Sequence, residues 1–361
     1  MKIVSIVGAR PQFIKHAALS KEVKKKHQDV LVHTGQHYDY SMNKIFFNEL
    51  GIAEPDYNLG IGSGSHGYQT GKMLLEIENI LLKEQPDLVI VYGDTNSTLA
   101  GALSAVKTHT KVAHVEAGLR SFDKSIPEEI NRVLTDHCAD YLFCPTKTAV
   151  DNLNQEGIVN GVYLTGDVMV DALNSYKEMA ERSTILDELK LTNKQYILVT
   201  IHRASNTDVL ENMENIVKAL IELAESGETI VFPVHPRSLK MLKANDLLDS
   251  VKEKVKITEP LGYLEFLKLL NHAKKVITDS GGIQKEAYIL KVPCITLMNI
   301  TSWIETVSDG WNVLAGNNPQ KIIELVRHFE PKRPTSNLFG LGACNKIVTI
   351  ITNDISNLHR R

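Results

Sequence analysis

The sequence predicts an α/β protein made of two doubly wound domains, and three observations carry that expectation. At 361 residues the chain is too long for one ordinary hydrophobic core and suits about two domains of common size. Short apolar runs, each closed by a glycine or a polar residue, alternate with amphipathic stretches, which is the pattern of parallel strands joined by helical crossovers. The runs also fall into two successive series with no residue-level repeat between them.

In chain order the first series is KIVSIVG, VLVHTG, LVIVYGD, KVAHVEAG, YLFCPT and VYLTGD. The second is YILVTIH, TIVFPVHP, VKITEP, KVITDSGG, PCITL and WNVLAG. Between the runs, MLLEIENILLKE, STLAGALSAVKT, NIVKALIELAE and EFLKLL repeat apolar residues at i, i+3 and i+4 and read as helices. The series meet near VMVDALNSYKEMAERS, so a first domain is expected over residues 1–171 and a second over 172–344.

Composition narrows the function classes. With 43% hydrophobic and 23% charged residues the chain reads as soluble and globular rather than disordered. A net charge of −3 argues against a general nucleic-acid or membrane binder, and KKK at 24–26 reads as the solvated end of a helix. MKIVSIVGAR has an apolar run too short for a signal peptide, with Arg10 directly after it. No segment approaches the roughly 18 apolar residues of a membrane span. Cys138, Cys144, Cys294 and Cys344 are scattered without a CxxC pair, so they read as reduced core thiols of a cytoplasmic protein rather than a zinc or redox motif.

Open parallel sheets bind ligands beyond the carboxyl ends of their strands. The polar residues there are Arg10, His37, Asp94 and Glu116 in the first series, and His202, His235, Glu259 and Asp279 in the second. For each one alone, a helix cap or a loop charge is about as good a reading as a ligand. In DSGGIQKEA a strand delivers Ser280, Gly281 and Gly282 into a helix start, where unpaired N–H groups and the helix dipole suit a phosphate. Glycine permits close backbone approach. Glu286, one turn further on, is placed to accept hydrogen bonds from a ribose diol; an N-cap with a tight turn is the even alternative. GARPQFIK repeats the theme, with Arg10 and Lys15 flanking a helix that begins at Pro11. Gly62, Gly64 and Gly67 formally match GxGxxG, but PDYNLGI before them is a poor strand and no acidic residue closes a following strand. GIGSGSHG therefore reads as a loop, and no bound NAD is expected.

The ordered set GARPQFIK, YGDTNSTLAG, HVEAGLRS, PEEINR, VTIHR and DSGGIQKEA, spanning essentially the whole chain, resembles the non-hydrolysing UDP-N-acetylglucosamine 2-epimerases. The resemblance implies the glycosyltransferase-B architecture, two Rossmann-like domains facing a cleft, with UDP on the second and a final helix over 345–358 packing back on the first. It also implies a homodimer. The activity implied is C2 epimerisation of a UDP-activated 2-acetamido sugar by elimination and re-addition of UDP, for cell-surface polysaccharide or glycan precursor synthesis. This chemistry needs a base, an acid and a stabilised diphosphate, but no cofactor or metal.

Carried over by motif, the catalytic set is Asp94, Glu116, Glu128 and His202. The carboxylates share proton transfer and stabilisation of a cationic transition state, without the sequence choosing which serves which sugar face. His202, with Arg10 and Lys15, holds or protonates the diphosphate. Arg132 orients Glu128 from one helical turn away, or else forms an ordinary surface pair. The chain departs from the commoner pattern in GARPQFIK for GTRPEAIK, in HRASN for HRREN, and in TSWIETV, with Trp303, where an Arg is frequent. Some relatives bind a second UDP-sugar beside the residues matching Gln36 and His37; the YDYS that follows here differs. GARPQFIK, HTGQHYD, GSHGYQTG and TSWIETVSDGWN look most similar to the branch acting on UDP-2,3-diacetamido-2,3-dideoxy-glucuronate. Gln12, His37, His66 and Arg203 are the residues that could serve its extra acetamido and carboxylate groups, or face water in loops. Two rival classes are a UDP-sugar glycosyltransferase of the same architecture and a non-catalytic sugar-nucleotide-binding regulator.

Overall fold

The computed structural model describes residues 1–36, 50–51 and 54–358; His37 and the YDYS stretch lie outside the described residues. The chain divides into two compact units, one of Met1–Ser175 with Asn337 to the end of the chain, the other of Tyr176–Ser336. The division falls inside the helix Val168–Ala180.

In the first unit, strands β1 (Lys2–Val7), β2 (Gln28–His33), β3 (Tyr57–Asn58), β4 (Leu88–Tyr92), β5 (Lys111–Val115), β6 (Tyr141–Cys144) and β7 (Val162–Leu164) form a sheet of order β3-β2-β1-β4-β5-β6-β7. All its pairings are parallel. Each apolar run of the first series lies on one of these strands. PDYNLGI, a poor strand by sequence, contributes only the two-residue edge β3. In the second unit, β8 (Tyr196–Thr200), β9 (Thr229–Pro233), β10 (Lys256–Thr258), β11 (Lys275–Thr278), β12 (Cys294–Thr296) and β13 (Asn312–Leu314) run parallel in the order β10-β9-β8-β11-β12-β13.

Both sheets are covered on both faces, which is why LVIVY in β4 and YILVT in β8 are buried along their whole length. On one face of the first sheet Val4, Ile6, Val32, Val89 and Val91 pack with Met73, Ile77 and Ala102 from the helices His66–Glu84 and Asn96–Lys107. In the second unit Ile197, Val199, Phe232 and Ile277 meet Met213, Ile216 and Leu220 of the helix Leu210–Glu225. The opposite face sets Leu198, Val231 and Val276 against Phe266, Leu270 and Ala287.

Strand order reverses between β1 and β4 in one sheet and between β8 and β11 in the other. Those switch points put the turns after β1, β4, β8 and β11 where an α/β sheet binds its ligand.

The last helix, Ala343–Leu358, belongs to the first unit and packs on the helix Arg10–Val23. The Asp171 carboxylate caps its start, accepting from Gly342 N at 3.0 Å and Cys344 N at 2.7 Å. Along its length Thr352 Oγ1 lies 2.8 Å from His27 Nε2, and the Tyr163 hydroxyl donates to Asp354 Oδ2 at 3.0 Å. Ile347 and Ile351 are fully buried there. Ile347→Ala should therefore cost about 2–5 kcal/mol, as large-to-small core changes do. The effect would appear as a lower urea midpoint at unchanged slope; an unmoved midpoint would mean that the helix adds little to the unit.

Candidate active site

The first unit gathers its charged residues around the turns after β1, β4 and β5. After β1, a Cβ on Gly8 would fall 2.1 Å from Ser97 Oγ and 2.2 Å from Thr34 Oγ1, so any larger residue would have to displace these two hydroxyls. Gln12 then clips this turn to the next. Its Oε1 accepts from Gly8 N (2.7 Å) and Ala9 N (3.0 Å), and its Nε2 reaches the Tyr92 carbonyl at 2.7 Å, Thr95 Oγ1 at 2.9 Å and Thr98 Oγ1 at 3.0 Å. Gln12 is buried and spent inside the fold, which corrects its assignment as an amide partner for substrate. Gln36 is likewise occupied, accepting from Ser97 N and Oγ. His66 is exposed and its Nδ1 sits beside the Asn96 carboxamide.

Arg10 opens the helix Arg10–Val23 and is half-buried. Lys15, one turn on, points its Nζ at Glu116 Oε1 at 2.7 Å, with both side chains more than nine-tenths buried. Lys15 thus matches a catalytic candidate of its own unit. Glu116, directly after β5, has φ +78°, a left-handed conformation that costs a non-glycine residue about 1 kcal/mol or more. It is held there by Glu116 N and Ala117 N, which both donate to the Phe143 carbonyl, at 3.1 and 3.2 Å. Gly118 follows at φ +80°, where a Cβ would lie 2.3 Å from the Ala149 carbonyl.

Asp94 follows β4 and is ion-paired with Arg132. Arg132, on the helix Pro127–Cys138, also bonds Glu129 Oε2 at 2.9 Å. Burial opposes the Arg132 charge, but Asp94 first, then Glu129 and Glu116, outweigh it and raise its pKa. The expectation that Arg132 orients Glu128 is therefore corrected: Arg132 orients Asp94. Glu128, in the first turn of that helix, is half-buried and makes no hydrogen bond or ion pair with the described residues. Glu129, to which the motif alone gives no role, accepts from Ser121 N, Ser121 Oγ and Phe122 N and so fixes the loop before the helix. Two adjacent glutamates of the same motif have different surroundings because a helix turns them about 100° apart, a difference that spelling alone does not disclose.

In the second unit His202 follows β8 and Asp279 follows β11. The fully buried Asp279 carboxylate accepts from His202 N (3.1 Å), Arg203 N (3.0 Å) and Asn206 Nδ2 (3.1 Å), and faces His202 Nδ1 at 3.1 Å. Burial resists its charge, yet His202 and these amide donors hold its pKa below the ordinary aspartate value. His202 Nδ1 is thereby engaged, and the ring remains 40% exposed. His235 caps its own helix by accepting from Arg237 N at 3.2 Å, and its ring lies 5.7 Å from that of His202. Glu259 is exposed, and Arg203 Nε donates to the Asp279 carbonyl at 2.8 Å.

Ser280 is the N-cap of the helix Gly281–Ile289, and its hydroxyl makes no capping bond. A Cβ on Gly281 would come no closer than 3.5 Å to Trp303 Nε1, and one on Gly282 no closer than 3.8 Å to Ser280 Oγ. The fold itself does not demand glycine at either position; what these residues leave is an uncluttered helix N-terminus. Glu286 is buried further along the helix. Lys285 Nζ sits 4.4 Å from the centre of the Trp303 ring, so the tryptophan of TSWIETV stacks on a buried cation. Structure thus brings Lys15, Asp94, Glu116 and Arg132 together in one unit, and His202 with Ser280–Gly282 in the other. No group of three or more His, Cys, Asp or Glu among the described residues is arranged to hold a metal ion.

The depressed pKa of Asp279 makes stability pH-dependent with a definite sign. Its contribution is complete above the unfolded value of 3.8 and is lost as pH falls through the lower folded value. Urea midpoints should therefore fall as pH drops from about 5 to about 3. Asp279→Asn, less stable at neutral pH, should lose less over that interval; an equal loss in both proteins would show that Asp279 is not the group responsible.

The family model described as UDP-N-acetylglucosamine 2-epimerase matches residues 21–352. A Methanococcus maripaludis protein named UDP-N-acetylglucosamine 2-epimerase homolog is 58% identical over 359 residues, 98% of this chain and 100% of its own. The UDP-2,3-diacetamido-2,3-dideoxy-D-glucuronate 2-epimerase of Pseudomonas aeruginosa is 48% identical over 337 residues, 91% of this chain and 92% of its own. The crystal structure of Methanocaldococcus jannaschii UDP-GlcNAc 2-epimerase in complex with UDP-GlcNAc and UDP has a TM-score of 0.92 at 48% identity, covering 98% of this chain and 100% of that one. That likeness bears out the glycosyltransferase-B-like fold class, and the family match and identity over nearly the whole length lead to one conclusion: the chain belongs to the UDP-N-acetylglucosamine 2-epimerase family.

Proposed function

We propose that the protein epimerises a UDP-activated 2-acetamido sugar at C2, by eliminating UDP and adding it back. The observation that carries this reading is the clustering of Lys15, Asp94, Glu116 and Arg132 at the carboxyl ends of the central strands, in a chain of this family. The hydrogen on C2 is barely acidic until the C1–O bond begins to break and positive charge builds beside it. In the forward step a carboxylate takes the C2 proton, the C–H electrons become the C1–C2 double bond, and the C1–O pair leaves with UDP. Return of a proton to the opposite face and re-addition of UDP complete the inversion.

Glu128 is the proton-transfer carboxylate in this reading, because no partner among the described residues competes for it. Asp94 and Glu116, matched by Arg132 and Lys15, act as fixed negative charge against the cationic transition state. Ser280, Gly281 and Gly282 bind the diphosphate at the helix N-terminus, Arg10 adds a cation and Glu286 takes the ribose. His202, oriented by Asp279, protonates or holds the leaving group. Gln12 is spent inside the fold and His37 lies outside the described residues, which leaves His66 and Arg203 as candidates for the extra groups of the diacetamido uronate. The reading stays with the chemistry common to both relatives, UDP on C1 and an acetamido group on C2. It includes a cytoplasmic homodimer, the dimer on the family resemblance and the location on four free cysteines. No helix among the described residues is long and apolar enough to cross a membrane.

Incubation with UDP-GlcNAc alone in D₂O tests the reading, and deuterium should appear at C2 of both epimers. Product without solvent label would point to transient oxidation, and turnover that requires an acceptor would point to glycosyl transfer. Glu128→Gln removes a titratable group at nearly constant size, and kcat should drop by about 10²-fold or more. Near-normal activity would return Glu128 to a structural role.

A further inference from the structure

His114 lies on β5, just before Glu116, and has no exposed surface. Both of its ring nitrogens face oxygen: Nδ1 is 2.7 Å from Asp136 Oδ1, and Nε2 is 2.7 Å from the Gly93 carbonyl. A carboxylate and a carbonyl can only accept. Both contacts are hydrogen bonds only if each ring nitrogen carries a proton; a neutral imidazole would turn a lone pair onto one of the two oxygens.

The surroundings match that charge. Asp136, fully buried on the helix Pro127–Cys138, also accepts from Arg120 Nη1 at 2.7 Å and from Gly118 N at 3.1 Å. Burial resists ionisation of Asp136, but His114 and then Arg120 outweigh it and lower its pKa. Arg120 continues to Glu156 through two bonds of 2.6 and 2.7 Å. The other titratable groups at the cluster are Cys144 on β6, whose thiol is pushed up by burial and by Asp136, and His137, 3.7 Å from Glu156.

The two ends of this chain of bonds are the turns that carry Asp94 and Glu116. Gly93, at φ +63°, precedes Asp94 and is pinned at both its groups, its N–H donating to the Val115 carbonyl at 2.9 Å and its carbonyl facing His114. Gly118 lies two residues past Glu116, whose left-handed backbone persists only where the surroundings over-determine it. We propose that His114, protonated on both ring nitrogens, is the positioning residue that sets Asp94 and Glu116 relative to one another. Its consequence for turnover rests on the epimerase reading; its protonation state does not.

His114→Gln tests the role, since a carboxamide has a single donor group and no charge to set against Asp136. With UDP-GlcNAc, kcat should fall about 10- to 100-fold, the scale expected when catalytic groups are misplaced by around an ångström. KM should move by less than about twofold, because a binding determinant is not touched. Independently of turnover, nitrogen-15 spectra of the histidine-labelled full-length protein, assigned by the signals missing in the variant or by contact with Asp136 and Gly93, should show both His114 ring nitrogens protonated at neutral pH. A single-proton tautomer overturns the proposal, and so does full kcat in a folded His114→Gln protein. If the variant does not fold, the wild-type spectrum decides. Failure of the wild type to epimerise would overturn the functional reading and leave the spectrum to judge His114.

Discussion

Each catalytic candidate in this fold sits at the end of a strand, or the start of a helix, inside a protein whose sheets are covered on both faces. An ionised side chain there loses several kcal/mol of hydration and must find a partner. The pairs that result organise the molecule: Lys15 with Glu116, Arg132 with Asp94 and Glu129, Arg120 and His114 with Asp136, and His202 with Asp279. Apart from Arg132–Glu129, which lies within the helix Pro127–Cys138, each pair joins residues from different segments of the chain, so charge matching also sets the turns relative to one another. Glu128 stands outside the scheme, half-buried and with no hydrogen bond or ion pair to the described residues.

The two units use one topology for different chemistry. Strand order is the same through the first six strands of each sheet, so equivalent switch points exist in both. In the first, the turns after β4 and β5 deliver carboxylates, and the helices Arg10–Val23 and Pro127–Cys138 deliver the cations that hold them. In the second, the turns after β8 and β11 deliver a histidine, a buried aspartate and a helix N-terminus, groups suited to an anion. Each unit thus concentrates its own kind of charged or polar group at its own switch point.

Strands and their order of use were legible in the sequence, since a parallel sheet covered on both faces needs continuous apolar runs, and each quoted run became a strand. The weak run PDYNLGI shows the same rule from the other side, adding only a two-residue edge. The candidate site was legible as motifs but not as partnerships. Gln12, Glu129 and Arg132 could not be assigned from spelling, because their roles depend on which neighbours lie across 80, eight and 38 residues of sequence. Asp279 was visible as a strand-end carboxylate, but its service to His202, Arg203 and Asn206 appears only once β8 and β11 are adjacent.

The backbone at Glu116 shows how these levels combine. A glutamate at φ +78° is disfavoured locally, and a glycine there would relax it. Glycine, however, would remove the carboxylate that Lys15 matches and leave a buried ammonium alone. The chain instead keeps the glutamate and confines it, with the Phe143 carbonyl taking two N–H groups on one side and Asp136 taking Gly118 N on the other. The strain, on the order of 1 kcal/mol, is smaller than the cost of the uncompensated charge, so the sequence that satisfies the electrostatics prevails over the one that satisfies the backbone.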